Sequence, residues 1–299
     1  MNYQYDYAVI GGDTRQVYLV EELAHHTTRI CHYALCATPD HRRCSDTSLV
    51  AAKSSLEKIC NVSSCIICPI PFTRNGNFLN QSVFDEDLPI NLILSNLKPD
   101  QTLFAGCIPE KFRLEAVGRG VHVFDLMSDQ SLARYNSIAT AEGAICEAIR
   151  QSPVNLHKSS CAVLGYGKCG STLSCYLKGM FANLYVVSNE EDERAKAALI
   201  ADRTGTLKDF GTCVGDFDFI FNTIPSKVIT SDLLSEMKCT VAIIDIASAP
   251  GGVDFASAKK LGINALPCPG LPGKYAPSSS AKAIKETIER ILKEEQKCL

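Results

Sequence analysis

The chain has 299 residues, of which 46% are hydrophobic and 21% are charged, a composition typical of a globular protein that buries a sizeable core. Its formal net charge of −3 provides no general attraction for nucleic acid or for an anionic membrane surface, and apolar runs stay well below the ~18 residues of a membrane-spanning helix. Because the opening residues also lack the basic and apolar parts of a secretory signal, we expect a cytoplasmic protein, with two domains of about 150 residues each.

The first half of the chain alternates short apolar strands with helices. Strands are predicted at residues 7–10, 30–35, 64–68, 102–105 and 121–124, and helices at 14–26, 90–97 and 110–119. This alternation is typical of a parallel sheet that helices cover on both faces, with right-handed crossover connections. In such a sheet, ligands bind at the carboxyl ends of the strands.

A glycine turn at residues 11–12 ends the first predicted strand and leads into the first helix. It lacks a third glycine, so a dinucleotide is not expected there. Two interpretations remain open. The helix N-terminus with Thr14 and Arg15 could bind a carboxylate, because arginine offers a bidentate fork. Alternatively, Asp13 or Thr14 caps the helix and Arg15 is solvated.

The fifteen cysteines do not indicate a disulfide scaffold, because the chain is long and lacks a secretion signal. Cys65 and Cys68 form the single C-x-x-C pair, and it lies in a predicted strand. Residues three apart in a strand point to opposite faces. We therefore expect no metal site and interpret most of the cysteines as small buried hydrophobes.

The middle of the chain is predicted to join two domains. Residues 128–136 are polar and predicted to be irregular, and an apolar helix at 138–149 is interpreted as the bridge. Residues 1–136 are predicted to form a substrate-binding domain, and residues 137–276 an NAD(P)-binding domain. The closing helix is predicted at 278–295, and the C-terminal segment 277–299 that contains it is expected to pack on the first domain. Further strands are predicted at 184–187, 218–222, 241–246 and 263–266, whereas the proline-rich residues 267–273 are expected to form neither helix nor strand.

The most informative motif is G-x-G-x-x-G at Gly165, Gly167 and Gly170, which follows an apolar segment halfway along the chain. A strand that turns here into a helix leaves backbone N–H groups pointing at one spot, where the helix dipole adds partial positive charge. Gly165 permits the tight turn, Gly167 lets the backbone approach a phosphate, and Gly170 lets the helix close on its strand. The motif predicts a nicotinamide dinucleotide site; the alternative is a glycine-cornered α/β unit without a ligand.

The strand after this helix ends at Ser188, close to the spacing expected for the position that reads the adenosine ribose. No acid ends that strand, which argues against NAD, yet the acids at 190–192 would repel the 2′-phosphate of NADP. Arg194 is the nearby cation, or it is solvated on its helix, so the preference stays open. The loop at 222–226 is of the kind that covers the nicotinamide half of the cofactor, or it is a simple exit from a strand.

Several stretches together resemble the dipicolinate synthase A family of endospore-forming bacteria. They are VIGGDTRQ at 9–16, YNSIATAEG at 135–143, the turn at Gly165, NTIPS at 222–226, DIASAPGGVDF at 245–255 and PGLPG at 269–273. The resemblance spans residues 7–292. It implies an α/β protein of two Rossmann-like, doubly wound parallel-sheet domains with a cleft between them, similar in plan to D-2-hydroxyacid and alanine dehydrogenases.

The same resemblance implies an activity. It is the NAD(P)-dependent oxidation of dihydrodipicolinate to dipicolinate (pyridine-2,6-dicarboxylate) during sporulation, with NADP⁺ as hydride acceptor and NAD⁺ not excluded. The implied protein partner is dipicolinate synthase B, a flavoprotein-like second component, with which the chain would form a heteromeric oligomer. The implied ligand is a small dicarboxylate substrate. Neither nucleic acid nor a membrane is expected as a partner.

Carried over residue by residue, the resemblance implies three groups of site residues. The pyrophosphate would lie at Gly165, Gly167, Lys168 and Cys169, the adenosine ribose at Ser188 and Asn189, and the nicotinamide half along Thr223, Ile224, Pro225, Ser226 and Ala247. The substrate would lie at Thr14, Arg15, Asn136 and Thr140, with Glu142 or Asp13 as proton acceptor. Asn189 stands where the family often has arginine, and Lys274 and Tyr275 replace apolar residues, so Lys274 is given no catalytic role.

Two rival functions remain. One is a stand-alone dehydrogenase of another amino or hydroxy acid, and the other is a dinucleotide-binding scaffold that supports dipicolinate synthase B. None of the six histidines falls at a predicted ligand-binding loop. Because histidine is the usual proton carrier in enzymes, its absence from these loops supports the scaffold function.

Overall fold

The computed structural model describes residues 3–25, 29–37, 50–52, 55–82 and 87–297. The chain forms two compact units. Unit 1 comprises Met1–Tyr135 with Ala276–Leu299, and unit 2 comprises Asn136–Tyr275. Each unit contains a six-stranded sheet whose strand pairs are all parallel. The two Rossmann-like α/β domains that the sequence predicts are confirmed.

Unit 1 alternates strands and helices through most of its length. Its elements are β1 (Tyr5–Ile10), α1 (Thr14–Ala24), β2 (Ile30–Tyr33), β3 (Val50–Ala52), α2 (Leu56–Val62), β4 (Ser63–Ile67), α3 (Ile90–Asn96), β5 (Thr102–Ala105), α4 (Glu110–Gly118), β6 (His122–Asp125), the start of α5 (Gln130–Gln151) and α12 (Pro277–Lys297). The strand order is β3-β2-β1-β4-β5-β6. The predicted helix end at His26 lies outside the described residues.

The sheet of unit 1 buries a separate apolar cluster on each face. Cys68 belongs to the cluster that includes α2, α3 and α4, whereas Cys65 belongs to the cluster that includes α1 and α12. The predicted placement of these two thiols on opposite faces is therefore confirmed. Within the second cluster, α12 packs on α1 through Ala281, Ile284 and Ile288.

Unit 2 repeats the plan after α5. Its elements are β7 (Ser160–Leu164), α6 (Lys168–Gly179), β8 (Asn183–Val187), α7 (Glu191–Ala197), β9 (Arg203–Gly205), α8 (Leu207–Gly211), β10 (Phe219–Asn222), α9 (Ser231–Ser235), β11 (Ala242–Asp245), α10 (Phe255–Leu261), β12 (Asn264–Pro267) and α11 (Leu271–Tyr275). The strand order is β12-β11-β10-β7-β8-β9. The order reverses at β7 and β10, and a reversal of this kind opens a crevice at the carboxyl ends of the two strands.

Two sequence predictions about element boundaries are wrong. Residues 130–136 are the first turns of α5 and are not irregular, because the carboxylate of Asp129 accepts a hydrogen bond from the amide of Leu132 at 2.8 Å and so caps the helix. Residues 271–275 form the short helix α11 despite Pro272, since proline is tolerated in the first turn of a helix. Among the described residues, no helix is both long and apolar enough to cross a membrane.

Candidate functional site

The turn from β7 into α6, residues 165–170, is called the glycine corner below. Gly165 has a φ of +91°, and a Cβ there would lie 3.1 Å from Cγ1 of Ile224 and closer still to Oγ1 of Thr223. A Cβ on Gly170 would overlap the carbonyl group of Gly165, at 2.9 Å from its carbon. Both positions therefore require glycine, one for its backbone conformation and both for close packing.

Gly167 is different from the other two glycines. Its φ of −66° and ψ of −163° are open to any residue, and a Cβ there would meet no described atom within 4 Å. No side chain caps α6, which begins at Lys168 and continues through the half-buried Cys169. Open space thus lies in front of the first turn of a 12-residue helix, where backbone N–H groups and the helix dipole favour an anion. The corner fits the pyrophosphate of a dinucleotide.

The end of β8, at the ribose-reading position, is held by bonds within unit 2. The buried Ser188 donates its hydroxyl hydrogen to Oε2 of Glu193 at 2.6 Å, and Arg194 donates from Nη1 to the Ser188 carbonyl at 2.8 Å. Oδ1 of Asn189 accepts from the Leu207 amide at 3.1 Å. Arg194 is therefore anchored beside this position. Sequence reasoning missed Glu193, although a serine ahead of an acidic helix start is a capping signal.

The loop after β10 lies directly against the glycine corner. The amide and the hydroxyl of Thr223 both donate to the carbonyl of Leu164, at 2.9 and 2.8 Å. The following residues become progressively more open to solvent: Ile224 is half-buried, and Pro225 and Ser226 are exposed. The structure therefore brings the predicted pyrophosphate and nicotinamide residues of unit 2 together.

A buried carboxylate lies at the base of these loops. Asp245, 3% exposed, accepts a hydrogen bond at Oδ1 from Nδ2 of Asn222 at 2.8 Å and at Oδ2 from the amide of Gly252 at 2.8 Å. Oδ1 also accepts from the amide of Ala247 at 3.2 Å. Asn222 is fully buried and in turn bonds both the amide and the carbonyl of Ile224, at 3.2 and 3.0 Å.

In unit 1, the start of α1 favours the capping interpretation. Asp13 accepts a hydrogen bond from the Arg15 amide at 3.0 Å, and its carboxylate forms a bidentate ion pair with the Arg15 guanidinium. Arg15 is only 4% exposed and also donates to the carbonyl of Ile70. The expectation of a solvated Arg15 is wrong, because the guanidinium is held in the interior by these partners. Thr14 is exposed at the first turn.

The candidate residues Thr140 and Glu142 on α5 have different partners. The buried Thr140 donates its hydroxyl hydrogen to the Asn136 carbonyl at 2.8 Å, within the helix itself. Glu142 is exposed and accepts from the hydroxyl of Tyr176 at 3.1 Å. Tyr176 lies eight residues beyond the start of α6, about 12 Å along its axis. Glu142 therefore lies beside the second half of α6.

Lys274 is part of a structural cluster. Its ammonium group donates to the buried Glu147, which also accepts from the hydroxyl of Tyr275 at 2.6 Å. These two hydrogen bonds, that of Lys274 first, lower the pKa of Glu147. A Cβ on Gly143 would sit 2.8 Å from the ring of Tyr275, so α11 packs closely on α5. The ammonium group of Lys274 is thus engaged in an ion pair within unit 2.

The cysteines of the described segments are all free, and those segments contain no cluster of histidine, cysteine and acidic residues that could hold a metal ion. Several thiols are buried, and burial raises the pKa of Cys60, Cys161 and Cys268 to about 12. Such thiols are inert as nucleophiles. Cys107, Cys175 and Cys239 are exposed, so the buried-hydrophobe interpretation holds for only part of the set.

Comparison with known proteins gives concordant results. Residues 6–127 match the family described as the N-terminal domain of dipicolinate synthase A. The chain is 31% identical over 298 residues to dipicolinate synthase A of Bacillus subtilis (strain 168), covering 97% of this chain and 96% of that protein.

Solved structures agree on the fold. The crystal structure of dipicolinate synthase A from Bacillus halodurans superposes with a TM-score of 0.83 at 28% identity, covering 98% of this chain and 99% of that one. An L-alanine dehydrogenase superposes with a TM-score of 0.62 at 12% identity, covering 95% and 88%, which confirms the expected similarity in fold to alanine dehydrogenases. The extent of the match to the B. subtilis protein is decisive, and the chain belongs to the dipicolinate synthase A family.

Proposed function

We propose that this chain catalyses the NAD(P)-dependent oxidation of dihydrodipicolinate to dipicolinate during sporulation, as the A component of a dipicolinate synthase. The observation that carries the proposal is the glycine corner in a chain of this family. Gly165 and Gly170 are required by packing, whereas Gly167 faces open space. An α/β unit whose glycines served only to close the turn would not need the third.

In this proposal unit 2 holds the dinucleotide. Residues 165–169 face the pyrophosphate, Ser188 and Asn189 face the adenosine ribose, and residues 223–226 with Ala247 border the nicotinamide half. NADP⁺ is the proposed acceptor: Arg194 is anchored beside the ribose position by the Ser188 carbonyl, and a guanidinium can pair with a 2′-phosphate. NAD⁺ is the alternative, supported by Glu193, which lies against Ser188 and could accept from a ribose hydroxyl.

The reaction removes a hydride and a proton from the dihydropyridine ring, and the product is aromatic. When bound, the dinucleotide supplies the hydride acceptor. The protein therefore has to orient the ring C–H bond and to accept a proton, and most of its contribution is positioning.

Unit 1 is the proposed substrate unit. Thr14, exposed at the first turn of α1, would contact one of the two carboxylates. Arg15 would support that contact indirectly. Its guanidinium bonds the cap residue Asp13 and the Ile70 carbonyl, and so holds the start of α1 in place. Asn136 and Thr140, the other two proposed substrate residues, lie on the part of α5 that belongs to unit 2.

Glu142 and Asp13 are the two proposed proton acceptors. Asp13 is already paired with Arg15, and both of its carboxylate oxygens accept hydrogen bonds from that residue. Glu142 is exposed, and the hydroxyl of Tyr176 donates to it. Burial and, second, this hydrogen bond raise the pKa of Tyr176, so that the hydroxyl stays protonated. We favour Glu142.

The test uses the purified chain with NADP⁺, NAD⁺ and freshly generated dihydrodipicolinate, with and without flavoprotein-like dipicolinate synthase B. The proposal expects the absorbance of dipicolinate to rise together with that of the reduced nicotinamide. It also expects the rise to be lost in Glu142→Gln or in Asp13→Asn, whereas the control variant Glu236→Gln, at an exposed position just after α9, should keep it. A wild-type chain that binds neither nucleotide would end the proposal.

The scaffold function gives a different pattern in the same assay. Dipicolinate would then form only when both proteins are present, and its formation would survive both Glu142→Gln and Asp13→Asn. A stand-alone dehydrogenase would instead oxidise another amino or hydroxy acid and leave dihydrodipicolinate unchanged.

A further inference from the structure

We propose that Asp245 is a positioning residue, whose buried carboxylate fixes the two loops that border the nicotinamide half of the dinucleotide. The inference rests on the proposed function, since it assumes that a dinucleotide binds at the glycine corner. The loops are residues 222–226, after β10, and residues 246–252, after β11. Asp245 and Asn222 stand opposite each other in the register of those two strands.

The contacts of Asp245 join the two loops to each other. On one side, Oδ1 accepts from Nδ2 of Asn222, whose amide group bonds the backbone of Ile224 in the first loop. On the other side, Oδ2 accepts from the amide of Gly252 in the second loop, and Oδ1 from that of Ala247. One carboxylate therefore sets the spacing of both loops.

The packing leaves the loops little room to move relative to each other. A Cβ on Gly252 would lie 2.7 Å from the carbonyl oxygen of Ile224 and still closer to the amide nitrogen of Asn222. The first loop in turn lies against the glycine corner through Thr223, which bonds the carbonyl of Leu164. The contacts thus run without a break from Asp245 to the proposed pyrophosphate site.

The donors around Asp245 require a carboxylate at this position. All the donors that face Asp245 are neutral N–H groups, and no ion pair of the described residues includes it. An asparagine would accept on one side only and would turn its NH₂ group toward an N–H donor on the other, leaving a buried donor unpaired. Since both carboxylate oxygens are occupied and the side chain is 3% exposed, Asp245 holds the loops and is not a proton acceptor.

The test compares two variants with the wild type. Asp245→Asn removes the acceptor on one side. Asp218→Asn is the matched control, because Asp218 lies on the same sheet at the opposite end of β10, where it binds the Ser160 amide at 2.9 Å and Lys238 at 2.7 Å.

Two readouts are needed, namely the Kd for NADP⁺ by calorimetry and the hydrogen exchange of the amides of Ala247 and Gly252 without nucleotide. For Asp245→Asn we expect a Kd about 10-fold higher, the effect of one lost charge-assisted hydrogen bond, and faster exchange at both amides. Asp218→Asn should lower the melting temperature and leave both readouts unchanged.

One result would overturn the inference while leaving the proposed function intact. In that result the wild type binds NADP⁺, and Asp245→Asn has the same Kd and the same amide exchange rates as the wild type. If Asp245→Asn does not fold, hydrogen exchange of the wild type alone tests the inference. Amides of Ala247 and Gly252 that exchange as fast as those of an unstructured peptide would show that Asp245 does not fix the second loop. A wild type without affinity for NADP⁺ or NAD⁺ would instead refute the proposed function itself.

Discussion

Gly167→Val separates nucleotide binding from folding at the glycine corner. The backbone angles of Gly167 are allowed for valine, and the position faces open space. A valine side chain would fill the volume through which a phosphate approaches the first turn of α6, where N–H···O distances of about 2.7–3.2 Å are required. The substitution should therefore abolish nucleotide binding in a protein that still folds.

The magnitude follows from the bonds that are lost. Hydrogen bonds to a charged group contribute about 1.5–3 kcal/mol each, so losing two weakens binding by about 3–6 kcal/mol, or at least about 100-fold in Kd. The folding cost is that of replacing glycine by valine at a helix N-cap, less than about 1 kcal/mol. In a unit of this size that lowers the melting temperature by about 4 °C or less.

Two further glycine substitutions provide the contrast. Gly170→Ala places a Cβ on the carbonyl of Gly165 and should lower the melting temperature by about 4–12 °C, the effect of overpacking. Gly179→Ala, at the far end of α6, meets no described atom within 4 Å and should leave nucleotide binding unchanged without lowering the melting temperature. Calorimetry with NADP⁺ and scanning fluorimetry measure the two properties separately. Wild-type affinity in Gly167→Val would refute the assignment of the corner.

Other substitutions test the remaining assignments. Arg15→Leu should raise the KM for dihydrodipicolinate about 10- to 100-fold, as expected for a displaced contact, with little change for NADP⁺; the reverse pattern in steady-state kinetics would remove unit 1 from substrate binding. Asn189→Arg should increase the preference for NADP⁺ over NAD⁺ about 10-fold, and an unchanged ratio of the two Kd values would place the 2′-phosphate elsewhere. Glu147→Gln should cost stability at neutral pH but not in acid: because the folded-state pKa of Glu147 is lowered by Lys274 and Tyr275, its contribution is present above the unfolded pKa of about 4.3 and is lost as the pH falls through the folded value. Urea unfolding from pH 3 to 7 checks this, and a pH-independent difference from the wild type would contradict it.

The fold followed from the sequence wherever the local signals were strong. Buried parallel strands such as β7 and β10 are continuous apolar runs, and these are recognisable without knowledge of their neighbours. The edge strands β3 and β9 were missed, because three residues carry too short a pattern to distinguish from a loop. The first turns of α5 were missed for another reason, since their start depends on the cap that Asp129 provides.

Site residues were harder to predict than elements, because a residue type does not reveal its partner. Arg15 has the side chain expected of a carboxylate ligand, yet its guanidinium is bound to Asp13 and buried. Glu193 carries no motif of its own, and only the fold of α7 brings it to Ser188. Backbone geometry was more predictable, since the roles of Gly165 and Gly170 follow from the turn that the motif itself specifies.

The same contrast explains why Asp245 is informative. In the sequence it is one acid at the end of a strand, a position typical of a ligand contact or a general base. In the structure its carboxylate is turned into the protein, where Asn222 on the neighbouring strand β10 and two amides of the loop after β11 supply its donors. Burying a charge without a cation is costly unless every lone pair is used for a fixed geometry. The geometry fixed here lies beside the glycine corner, and we therefore relate this carboxylate to the proposed nucleotide site.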